Sequence, residues 1–124
     1  MKKLLGVLLV LIMAVVLVGC APKDSAAAKT KLEKKDYVVV VLDKNDGAIS
    51  RTALALIGDD VQASVTASKK TDDGTIALTA ILFENSKAAK AFYDSSKNDE
   101  GKTNLVKSGN WVIYGDEKAV KDFK

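Results

Sequence analysis

The feature that most constrains this chain stands at its start, where Lys2 and Lys3 are followed by Leu4 to Val18 without one charged or strongly polar side chain. A short positive segment ahead of an apolar run is the layout of an export signal. About 15 apolar residues fall short of the roughly 20 that a helix needs to cross hydrocarbon, so the run reads as a cleaved signal and not as a permanent anchor. Whatever folds is then made from the residues after Gly19, about 105 of them, enough for one domain with one modest core.

The run closes on Leu17-Val18-Gly19-Cys20. An apolar residue three before a cysteine, a small residue directly before it and the cysteine itself resemble the lipobox of bacterial lipoprotein precursors, over these first twenty residues only. The resemblance implies a diacylglyceryl group on the Cys20 thiol, cleavage between Gly19 and Cys20, and acylation of the new amino terminus, with palmitate as the kind of chain expected. Two or three acyl chains, at about 0.8 kcal/mol per buried methylene, hold a protein on a bilayer where one chain is marginal. The expected location is therefore the cell membrane, lipid-anchored on the extracytoplasmic side.

Charge argues against nucleic acid. The formal net charge of +3 comes from 19 basic and 16 acidic residues; Lys2 and Lys3 leave with the signal, and every acidic residue lies beyond Cys20. The remainder is nearly neutral, without the basic face that a polyanion requires. Cys20 is the single cysteine, so no disulfide is available and stability must come from apolar contacts.

Residues 20–36 contain Pro22, Ala26 to Ala28 and five lysines. Few large apolar side chains are present to offset the entropy of ordering, so the segment reads as a lipidated cysteine followed by a flexible tether, in which Ala26 to Lys35 form at most a fraying helix. The domain proper is expected over 37–124. Tyr37 to Leu42 are aromatic, β-branched and apolar without interruption, the pattern of a strand covered on both faces. Asp43-Lys44-Asn45-Asp46-Gly47 breaks it, and Ile49, Ala53, Leu56 and Ile57 recur at helical spacing. Val61 to Ser68 alternate strictly, as in a strand buried on one face, and a turn at Asp73-Gly74 leads into an apolar strand from Thr75 to Phe83. Asn85 or Ser86 opens a second helix carrying Ala88, Ala89, Phe92 and Tyr93. Two short strands around Ser108-Gly109 follow, and then Asp116 caps a short amphipathic helix with Ala119, Val120 and Phe123.

This is an α+β pattern: a small antiparallel-rich sheet with two helices on one face and a short C-terminal helix. The order βαββαβ resembles the ferredoxin-like fold, which implies that the first and third strands are central and the second and last are edges. The alternative is a five-stranded antiparallel sheet with the final hairpin fully formed. In the ferredoxin-like arrangement one face lacks helices, and Val39, Val41, Ile81 and Phe83 become a candidate partner face for a second copy, another protein, or the chain's own segment around Trp111 and Phe123.

Chemistry is thinly represented. The chain has no histidine, which removes serine–histidine and cysteine–histidine pairs and the usual zinc ligands. Asp43 to Gly47 fails the oxygen spacing of a calcium loop and lacks its closing glutamate. Most carboxylates fall at element ends, where turn and cap chemistry explains them. The reading is a non-enzymatic binding or accessory module without catalytic residues, metal or cofactor. The alternatives are a small carboxylate-dependent enzyme and a ligand or metal sensor built on the acidic loops.

Overall fold

The computed structural model describes residues 21–124; the signal segment and Cys20 lie outside the described residues. The elements are α1 (Ser25–Glu33), β1 (Val38–Asp43), a 3-10 turn (Lys44–Asp46), α2 (Ala48–Ala55), β2 (Val61–Thr71), β3 (Gly74–Phe83), α3 (Ser86–Ser96), β4 (Val106–Ser108), β5 (Trp111–Gly115) and α4 (Glu117–Phe123). The five strands form one sheet in the order β1-β2-β3-β5-β4, antiparallel at every step.

The α+β class and the βαββαβ order of elements agree with the sequence reading, with a complete hairpin in the place of the last strand. The placement of strands differs. β1, expected at the centre, is an edge, and β2, expected at an edge, is interior. Side-chain alternation reports whether a face is covered, whereas edge position concerns backbone partners in the plane of the sheet, so the strict alternation of β2 did not distinguish the two.

Register explains how the layers assemble. Val41, Val65, Ala80 and Ile113 stand opposite one another across four strands, and directly opposed residues point to the same face. Together with Val39, Ala67, Leu78 and Trp111 they form one core, roofed by Ala28 and Leu32 of α1 and by Ala119, Val120 and Phe123 of α4. The residues between them, Ile81 and Val112, face the other way and meet Leu54 of α2 and Ala89, Phe92 and Tyr93 of α3. The two expected helices thus share one face, and the supposedly open face is covered by the chain's own two ends.

The segment expected to be a flexible tether is therefore structural. Asp24 caps α1 by accepting from the Ala27 amide at 2.8 Å, and Ala28 and Leu32, one turn apart, are fully buried. The Ser25 hydroxyl donates to Asp43 at 2.7 Å, and Lys35 donates to the Asp122 carbonyl at 3.0 Å. Two buried contacts and a set of specific hydrogen bonds supply the stabilisation that composition did not suggest. Asp36, at a φ of +70°, then reverses the chain into β1. The domain boundary accordingly moves from 37 to the first described residues.

At the carboxy-terminal side Gly115 stands opposite Leu78 at a φ of +138°, and a Cβ there would lie 2.3 Å from the Ala77 carbonyl oxygen. Only glycine permits that approach. Asp116, expected to cap α4, makes no capping bond; its carboxylate instead accepts from the Ala77 amide at 2.8 Å, pinning the helix to β3.

Candidate functional site

The two edges of the sheet differ in how they are protected. β4 is three residues long with Lys107 at its centre, and both shortness and a charged residue discourage pairing with foreign strands. β1 is six residues long, VVVVLD, without proline, lysine or bulge along its ladder with β2. One of its faces lies under α1. On the other, Val38, Val40 and Leu42 form a row with exposures of 70%, 61% and 37%. Their cross-strand neighbours Ser68, Thr66 and Ser64 are small and polar, so nothing on β2 leans over them.

α2 adds to this surface. It packs against β1 and β2 through Leu54, which is 1% exposed. The residues expected to form its buried stripe face the solvent instead: Ile49 and Leu56 are 87% and 86% exposed, and with Ala48, Thr52 and Ala53 they line a shallow apolar depression. An eight-residue helix between neighbouring antiparallel strands has room to bury one side only, and the sheet takes Leu54. Periodicity identified an apolar stripe correctly but could not tell whether it faces inward.

The four residues expected to form a partner face do not come together. Val39 and Val41 belong to the core under α1 and α4. Ile81 and Phe83, 3% and 4% exposed, are core beneath α3, with the Phe83 ring 5.2 Å from that of Phe92. The cause is register: β1 pairs with β2 and not with β3, which sets its odd-numbered valines on the face of Leu78 and Ala80. The exposed row is the even-numbered set, Val38, Val40 and Leu42. β1 is an edge strand, and an uninterrupted apolar run does not reveal that.

The carboxylates are engaged structurally. Asp43 accepts from Ser25 and, at 2.9 Å, from the Asn45 amide, and Asp99 accepts from the Gly101 amide at 2.9 Å. Asp94 bridges Lys90 and Lys97, and the hydrogen bond from Lys90 is the main cause of its lowered pKa. Asp122, its side chain 14% exposed, accepts from the Tyr37 hydroxyl at 2.7 Å and from Lys118 at 3.0 Å. Burial pushes its carboxyl up, but the phenol, Lys118 and Lys35 outweigh that and leave it below the usual range. The same contact, after burial, raises the Tyr37 phenol. Among the described residues no cluster of three or more acidic or cysteine side chains is able to hold a metal ion, and no helix is long and apolar enough to cross a membrane.

The amino-terminal end is also fixed. The Trp111 indole donates to the Pro22 carbonyl at 2.6 Å, and Ala21 packs against the core. A groove beside this contact is lined by Lys23, Leu82, Ser108 and Asn110.

No family model matches this chain, and neither the curated proteins nor the solved structures include a match to it.

Proposed function

We propose that this chain is a lipid-anchored extracytoplasmic protein, held on the cell membrane through Cys20, which acts as a binding or accessory module and not as a catalyst. The observation that carries the binding part is the uncovered row Val38, Val40 and Leu42 beside the outward-facing Ile49 and Leu56. Leu54, Val65, Leu78 and Ile113 are each exposed by 2% or less, and a group of exposed aliphatic side chains on one surface is the usual mark of an interface. The anchor rests on Leu17-Val18-Gly19-Cys20 at the close of the apolar run. With Pro22 held against Trp111, a lipid on Cys20 leaves about two residues of free chain, a reach of roughly 7 Å. The domain then sits at the headgroup level, not on a long stalk.

Mass spectrometry of the membrane-bound chain tests the anchor. A mature amino terminus at Cys20 carrying the mass of acyl groups is expected, with Cys20→Ala leaving uncleaved precursor. An unmodified chain that retains Met1 to Gly19 would overturn it. Reaction of a polar maleimide with Val40→Cys tests the binding part: protection in native membranes and reaction after detergent extraction and dilution are expected.

A further inference from the structure

The occupant of the β1 edge is identifiable from the strand itself. We infer that β1 pairs antiparallel with β1 of a second copy about a twofold axis at Val40, joining two five-stranded sheets into one. The inference rests on the reading of this surface as an interface and is independent of the lipid on Cys20.

Three observations lead to it. First, the edge is open and unguarded, with about 20 Å of strand, at roughly 3.3 Å per residue, carrying none of the devices seen on β4. Second, the row on its uncovered face matches itself. Opposed residues in an antiparallel pair share a face, so only registers that set even-numbered residues against even-numbered ones keep the exposed valines together; a slip of one residue would place them against the residues under α1. The register centred on Val40 opposes Val40 to its own copy, Val38 to Leu42 and Val39 to Val41. The two rows then form one apolar surface, and both core-facing rows remain on the side of their own α1.

Third, charge selects the same register. Continued just beyond the paired residues, it brings Asp36, exposed at the turn into β1, towards Lys44 of the second copy. The twofold axis repeats this at the other end, giving two opposite-charge pairings. Lys44 stands at the strand end in a half-exposed pair with Glu84 at 3.7 Å. The arrangement is isologous and closed, so it ends at a dimer and does not propagate into a fibre. A lipid surface fits less well, because Asp43, Asp46, Asp59 and Asp60 border the same strand and helix ends and would oppose anionic headgroups.

The test uses the full chain in membranes of the producing cell, with Val40→Cys introduced and mild oxidation or a short bis-maleimide applied. Opposed Cβ atoms about 4.5–5.5 Å apart are within the span of a short bis-maleimide, and a shift of about 1 Å brings them into disulfide range. Expected is a covalent species of twice the chain mass, at least tenfold more abundant than from the parent chain with Cys20 alone or from Thr66→Cys, an exposed position on the same face of β2. Co-expressed Val38→Cys and Leu42→Cys chains should cross-link to each other more than either does to itself. Asp36→Lys should lower the yield several-fold, and adding Lys44→Asp should restore it. Restoration of the yield by the second change is a result that general loss of structure does not produce. An adduct of another mass would overturn the second copy as occupant while leaving the binding reading intact. A Val40→Cys chain that stays monomeric and reacts freely with polar maleimide in membranes would overturn both.

Discussion

Trp111 and Pro22, 89 positions apart, are joined by a hydrogen bond of 2.6 Å from the indole to the proline carbonyl. Trp111 is otherwise engaged by its ring, which meets Phe123 edge-on at 4.9 Å, so a single side chain ties the start of the described chain to its end. Trp111→Phe keeps an aromatic ring in the core but removes the N–H that donates to Pro22. A loss of about 0.5–1.5 kcal/mol is expected for the bond, with a further loss for reduced ring volume. Chemical denaturation should resolve it, and increased proteolysis near Lys23 should accompany it.

Removing residues 21–33 should abolish cooperative unfolding, because α1 forms half of the roof over the larger core. Leu32→Ala isolates one contribution: the side chain is fully buried, and such truncations cost about 2–5 kcal/mol. A chain beginning near Lys34 that melts as sharply as the longer one would show α1 to be dispensable.

The orientation of α2 predicts an inversion of the usual pattern, in which the larger apolar residues matter most. Leu54→Ala should cost about 2–5 kcal/mol, since Leu54 is 1% exposed and shares a core with Val61, Ile81, Phe83 and Val112. Ile49→Ser and Leu56→Ser, at positions 87% and 86% exposed, should change the stability of the isolated monomer by no more than about 0.5 kcal/mol. Equal destabilisation by all three would mean that α2 is turned the other way.

What was legible in the sequence was local. The cap at Asn85, which accepts from the Ala88 amide, the β2–β3 hairpin, the final hairpin and the buried Ala119, Val120 and Phe123 all follow from chemistry within a few residues of each feature. What was illegible was relational. Whether Val40 faces a helix or solvent depends on β1 lying beside β2 alone. Whether Ala28 and Leu32 are buried depends on a core surface supplied from positions 65 to 123. Small alanines gave α1 a weak apolar signal, although their size lets a helix approach a sheet closely. The exposed surface is illegible for the same reason: a core strand and an unguarded edge have one composition, and only the neighbours distinguish them.

The Gly115 site predicts strong intolerance. Gly115→Ala places a Cβ 2.3 Å from the Ala77 carbonyl oxygen and 2.7 Å from the Leu78 Cα, and both are backbone atoms that cannot rotate away. The φ of +138° adds strain for any L side chain. The β3–β5 ladder must open at that point, so a drop of at least about 2 kcal/mol is expected, with faster amide exchange at Ala77 and Asp116.

The Tyr37–Asp122 bond makes stability depend on pH in a direction that can be worked out. The folded pKa of Asp122 is depressed: burial raises it, but the hydrogen bonds from Tyr37 and Lys118 and the charge of Lys35 more than reverse that. The resulting stabilisation is fully present above the unfolded carboxylate value, about 3.9, and is lost as pH falls through the folded value. Tyr37 behaves oppositely: burial first, then the bond to Asp122, raises its phenol, so its contribution is present below about 10 and is lost as pH rises beyond it. Tyr37→Phe removes the shared bond, and since hydrogen bonds to charged groups are worth about 1.5–3 kcal/mol, a loss of that size is expected at pH 7. Measured by denaturant titration at successive pH values, the gap between parent and variant should begin to narrow below about pH 4, where Asp122 of the unfolded chain takes up its proton, and close as pH falls through the lower folded value. A gap that stays constant from pH 7 to pH 2 would show that the ring hydroxyl acts through shape alone and that Asp122 draws its depressed pKa from Lys118 and Lys35.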